Sequence, residues 1–412
     1  MRDILPAEKA TRERVLATIR SVYRSHGFDE IETPVVEDVA RLFSGLGGDN
    51  EKLAYAVMKR GLTTDDLAAA HAPLDLADLG LRFDLTVPLA RFYASNRAQL
   101  PAVFRAIQIA PVWRAERPQK GRYRQFVQCD IDIIGEPGII AEVELITATA
   151  AALDALGVPG CSIRINDRRL LTAWLHSHGV PDSLQSAALI TLDKLDKIGV
   201  EGVIAELEER GVIDAQSMLA WIDMSAGVDD SWAMLAGSAH ADSTAAQELL
   251  RIRRALPNIP LQFDPFLVRG MGYYTGPIFE VAHPALGYSL GGGGRYDGMI
   301  GRFMGSDVPA TGFSLGFERL IDLVELGVDD EASASALLYE ADADLGAIMA
   351  LKAQLVADGA RVRLLKRPKN MKAALDQLAA DAFTRFAIVD ERQSASTADA
   401  ATLDWRRLEP AH

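Results

Sequence analysis

A chain of 412 residues exceeds what one ordinary core holds, so two domains, one of them carrying an insertion, are expected. Apolar content of 49% with 24% charged residues is that of a water-soluble globular protein. No run of eighteen apolar residues occurs, and charges throughout the first twenty positions argue against a membrane span or a secretory leader. A net charge of -14 argues against a nucleic-acid binder taken as a whole, but phosphate recognition needs only a local basic patch, and two exist, at 114–124 and 361–372.

In chain order, residues 7–26 place Val15, Leu16, Ile19, Val22 and Tyr23 at three- and four-residue steps, an amphipathic helix ending at Gly27. "GFDEIETPVVE" is short and β-branched with Pro34 inside it, as suits an edge or interface strand. From 84 to 135 the pattern predicts strands: "RFDLTVPLARF", then "AIQIAPVWR", a polar loop and "YRQFVQCDIDIIG", the last two forming a long antiparallel hairpin. Between about 138 and 260 the character turns helical, with "AEVELITATAAALDAL", "VEGVIAELEERG" and "AQELLRIRRAL". Strands return with "LQFDPFLVRG", "PIFEVA" and the glycine run, and "TGFSLGFERLIDLVEL" reads as a small-residue turn opening a helix. "GVDDEASAS" reads as a linker, after which strand, helix, strand, helix, strand alternate in "ALLYE", "DLGAIMALKAQLVADG", "RVRLLK", "KNMKAALDQLAADAF" and "RFAIV", a small α/β domain on a parallel or mixed sheet.

Three stretches carry chemistry. In "VWRAERPQKGRYRQFVQCDIDIIG", five basic residues face the single Glu116 between Arg114 and Phe126, and an arginine held on a strand offers a phosphate a planar fork and a fixed charge. Charge alone leaves open a solvated basic hairpin tip. "LVRGMGYYTG" and "GGGGRYDG" combine arginines, tyrosines and four consecutive glycines, which either turn the chain or remove side chains where something lies directly on the main chain. Asp84 in "LRFDLTVPLARF" is an acceptor for a cation or the cap of a turn. The two cysteines, Cys129 and Cys161, lack disulfide-framework or zinc spacing, and His176 and His178 do not share a helix face, so no protein-held metal and a reducing cytoplasm are expected.

Taken in order, "GFDEIETPVVE", the arginine hairpin and "GFSLGFERL" resemble the three motifs of class II aminoacyl-tRNA synthetases, while "LVRGMGYYTG" and "GGGGRYDG" look like the two signatures of the histidyl-tRNA synthetase family. The resemblance covers nearly all of residues 1–325, beginning with "MRDILP". It implies an α+β fold: a class II synthetase-like antiparallel sheet flanked by helices over residues 1–326, a helical insertion at about 168–260, a linker at 327–335, and an abbreviated anticodon-binding-like α/β domain at 336–412. It implies ATP-dependent activation of L-histidine to the adenylate and transfer to tRNA(His), with ATP entering as its Mg2+ complex and the chain working as a cytoplasmic homodimer.

Residue by residue, the resemblance assigns the histidine α-ammonium to Asp84 and Thr86 with Gln128, and the imidazole to Asp132, Tyr274 and Tyr296. Phenols both donate and accept, so they suit a neutral imidazole. Arg114 and Arg269 become the catalytic arginines at the α-phosphate, Glu116, Arg122 and Arg319 join Arg114 on ATP, and Arg117, Gln119 and Lys120 meet the tRNA acceptor end. The chain departs from the usual Arg-Gly-Leu-Asp-Tyr-Tyr signature at Met271 and Gly272, and its tail lacks a final helix. The alternative is the paralogous histidine-binding regulatory subunit of ATP phosphoribosyltransferase, which charges no tRNA; proteins of that group typically erode the arginines kept here at 114, 122, 269 and 319.

Overall fold

The computed structural model describes residues 1–43, 54–117, 121, 123–211, 230–269, 272–324, 334–390 and 398–409. Two compact units, Met1–Glu325 and Leu326–His412, divide the chain. The predicted linker falls almost entirely outside the described residues.

The first unit opens with a helix, Pro6–Ser25, that starts on a proline and buries Val15, Leu16, Ile19 and Tyr23. Eleven strands follow: β1 (Asp29–Glu30), β2 (Val36–Asp38), β3 (Tyr55–Met58), β4 (Ala77–Leu81), β5 (Phe104–Trp113), β6 (Gln125–Ile134), β7 (Ser162–Asp167), β8 (Leu261–Phe263), β9 (Pro277–Ala282), β10 (Gly291–Arg295) and β11 (Ala310–Gly316). Eight of them form one sheet in the order β1-β5-β6-β11-β10-β9-β7-β8, antiparallel through its middle and closed at each edge by a parallel pair. A separate three-stranded sheet runs β2-β4-β3. "GFDEIETPVVE" therefore serves two sheets, with Pro34 between the parts.

The β5–β6 hairpin pairs Phe104 with Ile134 through to Trp113 with Gln125. On β6, Cys129, Ile131 and Ile133 are fully buried, and helix Ile140–Ala155 packs against the sheet at β6 and β11. Their alternates Gln128, Asp130 and Asp132 face the opposite way, as a period of two requires.

Three expected elements differ. "RFDLTVPLARF" is no strand: β4 ends at Leu81 and a helix runs Thr86–Asn96. Leu85, Val87 and Leu89 alternate as a strand would, but Pro88 and Ala90 between them are buried as well, so the helix is covered on more than one side. Pro88 sits in the first turn, where N–H groups lack intrahelical partners anyway, and an Asp84 carboxylate oxygen accepts from the Val87 N–H at 3.2 Å. "TGFSLG" is not a turn but β11, in the middle of the sheet, followed by the short helix Phe317–Leu320. "LQFDPFLVRG" is strand only to Phe263, because its next segment is held from β7: the Asn166 side chain donates to the Pro265 and Leu267 carbonyls at 3.1 and 3.2 Å.

Between β7 and β8 lie the helices Arg168–Ser177, Asp182–Leu192, Leu195–Glu209, Ser231–Gly237 and Thr244–Ala255. Leu171, Trp174, Leu189 and Leu207 from this segment share a core with Leu267, Val268 and Ile278, so the helices brace the chain beside Arg269.

In the second unit, β12 (Ser335–Tyr339), β13 (Val362–Lys366), β14 (Arg385–Val389) and β15 (Arg406–Arg407) are ordered β13-β12-β14-β15, with only β15 antiparallel. Leu337 packs with Ile348 and Leu351 of helix Leu345–Ala357, while Ala336 and Leu338 pack with Leu378 and Phe386. A central parallel strand covered on both faces reads as an unbroken apolar run, as "ALLY" does.

Candidate active site

The glycine run is a strand, not a turn. β10 lies between β9 and β11, and its glycines leave room for side chains of the protein itself. A Cβ at Gly292 would sit 2.8 Å from Arg269 Nη1, and one at Gly294 would sit 2.9 Å from the Tyr274 ring. On β11, a Cβ at Gly312 would fall 1.9 Å from Asp132 Oδ1. These contacts are closer than real Cβ atoms approach, so at these positions glycine seats the functional groups.

Above this strand opens a cleft lined by Asp84, Thr86, Arg114, Glu116, Gln128, Asp132, Arg269, Tyr274, Tyr296 and Arg319, along with the four glycines. Of the residues expected from the sequence, these ten come together. Arg117 is exposed and does not line the cleft, and Gln119, Lys120 and Arg122 lie outside the described residues.

Asp84 is buried in the turn before helix Thr86–Asn96, which the Gln108 side chain holds against the sheet by donating to the Leu85 carbonyl at 3.0 Å. One carboxylate oxygen caps Val87 while the other, Oδ2, is buried without a hydrogen-bond partner among the described residues. Burial pushes the carboxyl up to about 6, opposed by the Val87 N–H and the Arg114 charge. An orphaned buried acceptor oxygen is costly unless something fills it. A cationic ligand group would do so.

Asp132 accepts from the Tyr296 hydroxyl at 2.6 Å. Burial lifts its carboxyl to about 7, with the Tyr296 hydrogen bond pulling the other way and the Asp84 charge adding to the rise. Tyr273 stands between the two other tyrosines, 4.9 Å from Tyr274 and edge-on to Tyr296 at 6.0 Å between centroids. The result is an aromatic wall carrying phenols and one carboxylate, matched to a flat ring with polar nitrogens.

The arginines are held by backbone and aromatic contacts. Arg114 Nε donates to the Phe83 carbonyl at 2.9 Å, and its guanidinium lies 5.0 Å from the Phe126 ring. Arg319 donates to the Gly121 and Ser289 carbonyls at 2.9 and 2.8 Å beside the Tyr288 ring. Arg269 Nη1 donates to Glu280 Oε2 at 2.7 Å. Rigid, partly desolvated arginines of this kind stabilise charge developing on a phosphoryl group.

Several lining residues were missed. Asp130 is buried, accepts from Gln128 Nε2 at 3.2 Å, and is driven well above the usual carboxylate range by burial and then by the Asp132 charge. The polar alternation on β6 could have found it. Glu318, which accepts from Arg12 at 2.6 Å and from the Val127 N–H at 2.9 Å, pins the end of β11 to β6 and to the first helix. Its partners are too distant in sequence to signal this. Among the described residues, no cluster of three or more His, Cys, Asp or Glu side chains could hold a metal ion.

Comparison with known proteins adds a second line of findings. The family model described as histidyl-tRNA synthetase matches residues 1–320. The histidine--tRNA ligase of Leifsonia xyli subsp. xyli is 58% identical over 406 residues, 95% of this chain and 94% of its own length. A probable histidine--tRNA ligase of Tropheryma whipplei is 42% identical over 415 residues, with shares of 95% and 94%. Among solved structures, a histidyl-tRNA synthetase from Nostoc sp. PCC 7120 matches with a TM-score of 0.75 at 26% identity, covering 98% of this chain and 95% of that one. A Bacillus halodurans structure described as an ATP phosphoribosyltransferase regulatory subunit/histidyl-tRNA synthetase matches with a TM-score of 0.72 at 20% identity, a likeness of fold.

Proposed function

The chain belongs to the histidyl-tRNA synthetase family and activates L-histidine with ATP for transfer to tRNA(His); from that premise we propose how the cleft divides the work. The observation that carries the assignment is the convergence, on one glycine-floored cleft, of an unfilled buried carboxylate oxygen, a carboxylate–phenol pair and two phosphate-competent arginines.

Asp84 takes the α-ammonium through its unpartnered oxygen, with Thr86 and Gln128 as neutral polar neighbours. Asp132 and Tyr296 act as one unit toward one imidazole nitrogen and Tyr274 meets the other. A side chain lacking either nitrogen would leave buried polar groups unpaired, which is the strongest form of rejection a binding site has. The histidine carboxylate then attacks the α-phosphate of ATP and expels pyrophosphate. Arg114 and Arg269 flank that phosphate and concentrate positive charge where the transition state needs it, with little covalent work left to the protein. Arg319 and Glu116, with Arg122, hold the nucleotide, which enters as its Mg2+ complex.

In the second step the tRNA terminal ribose attacks the adenylate, with Arg117, Gln119 and Lys120 against the acceptor end and residues 336–412 on the anticodon side. A cytoplasmic homodimer completes the reading: Val36, Val57 and Leu79, exposed and on one face of the β2-β4-β3 sheet by its register, offer apolar surface that a second copy would cover. Histidine-dependent pyrophosphate exchange, followed by charging of tRNA(His) in the same preparation, tests both steps. Histidine binding with neither activity would instead favour the regulatory-subunit reading.

A further inference from the structure

Strand register sets one row of facing residues across the large sheet: Gln108 on β5, Asp130 on β6, Ser314 on β11, Gly292 on β10, Glu280 on β9 and Arg164 on β7. Only Gly292 lacks a polar side chain, and the gap over it is taken by the guanidinium of Arg269, which arrives from a segment outside the sheet. There Arg269 Nη1 donates to Glu280 Oε2 at 2.7 Å. The other Glu280 oxygen accepts from Arg164 Nη2, and Arg164 Nη1 donates to Asp264 Oδ2 at 3.1 Å. Asp264 Oδ1 in turn accepts from the Phe266 N–H at 2.9 Å, within the segment that leads to Arg269. The circuit closes on itself, from strand to carboxylate to arginine and back to the backbone that carries the arginine.

We propose that Glu280 is a positioning residue for adenylate formation: clamped by Arg164, it fixes the Arg269 guanidinium over Gly292 and toward the α-phosphate. The proposal rests on the role of Arg269 given above. An arginine side chain free to sample its rotamers would have to be ordered during each turnover. Charge already in place contributes its full effect at the transition state without reorganisation. Arg164, on the side of Glu280 away from the cleft, offsets the carboxylate charge, so Arg269 is oriented while its field persists. Glu280 does not line the cleft, so it acts through Arg269 and not on substrate.

The test is histidine-dependent pyrophosphate exchange by the full-length wild type, Glu280→Gln, Glu280→Asp, Arg269→Ala and the Glu280→Gln/Arg269→Ala double variant, with thermal melting of each. Glu280→Gln is expected to lower kcat by roughly 10- to 100-fold, the scale of one lost charge-assisted hydrogen bond, with KM for histidine and ATP changed less than about threefold. Glu280→Asp, which keeps the charge, should recover part of the loss. The double variant should be no slower than Arg269→Ala alone, because two residues acting through one group do not add. Near-normal kcat in Glu280→Gln, or losses that multiply in the double variant, would overturn the proposal while leaving Arg269 in its role. Wild-type exchange that Arg269→Ala leaves untouched would overturn the role of Arg269, and the proposal with it. Should Glu280→Gln fail to melt cooperatively, the cycle run with Glu280→Asp decides by the double variant alone: losses that multiply overturn the proposal, and a double variant no slower than Arg269→Ala upholds it.

Discussion

Asp84 does two things with one carboxylate. One oxygen caps the first turn of a helix and the other is left bare in the cleft. Asp84→Asn keeps a capping oxygen and turns the bare position into a donor facing an ammonium, so histidine KM should rise roughly 10- to 100-fold while the melting temperature stays close to wild type. The pH dependence has a definite sign. Both Asp84, near 6, and Asp132, near 7, have folded-state values above the ordinary carboxylate range. The native state therefore holds more protons than the unfolded chain, and these two groups contribute a loss of stability as pH rises from about 4 through 7. Ligand binding runs the other way, because an ammonium needs the ionised carboxylate. Through Asp84, histidine affinity by calorimetry should weaken roughly fourfold between pH 7.5 and 5.5, and Asp84→Asn should remove that part of the slope. For Arg269→Ala, single-turnover adenylate formation should slow roughly 10² to 10³-fold, the effect of removing one preorganised charge. Near-normal rates would remove Arg269 from the chemistry.

At the scale of elements, the β5–β6 hairpin was legible and the glycine run fell among the expected strands, whereas β11 read as a turn. Gln128, Asp130 and Asp132 alternate with Cys129, Ile131 and Ile133, so a period of two separates a cleft face from a core face by sequence alone. β10 and β11 carry too few side chains to show a period, and glycine in a strand interior ordinarily argues against one. They are strands because their neighbours supply the pairing and their missing side chains leave space for Arg269, Tyr274 and Asp132. Gly312→Ala tests this directly. Its added methyl would collide with Asp132, so histidine KM should rise by tenfold or more while KM for ATP, which the proposed division of the cleft gives to Arg114, Glu116 and Arg319, changes little. Equal effects on both substrates would mean that the strand itself had been disrupted. Helix Thr86–Asn96 was misread for the opposite reason: apolar residues at 85, 87 and 89 mimic a strand, and the cap that selects the helix is a single hydrogen bond.

For the whole molecule, the basic stretch at 361–372 is less charged in effect than in composition. Arg363 pairs with Asp381 and Arg367 with Glu340, while Arg361 lies against the Phe383 ring. Lys366, Lys369 and Lys372 are exposed. Replacing these three with alanine should leave pyrophosphate exchange unchanged, raise KM for tRNA about tenfold, and reduce the salt dependence of tRNA binding by up to about three counterions. Unchanged tRNA binding would take this face out of contact with RNA. By itself the sequence determined the order of motifs, the identity of most cleft residues, the alternation that turns β6 toward the cleft, and the α/β pattern of the tail, all of which are local in the chain. Only the tertiary structure decided that Tyr296 donates to Asp132 across 164 positions, that Glu318 ties down Arg12 across 306, and that Gly292 seats an arginine clamped by Glu280 and Arg164. Local periodicity sets which way a side chain points, whereas its partner is set by strand register, and register is settled by the packing of the whole sheet at once.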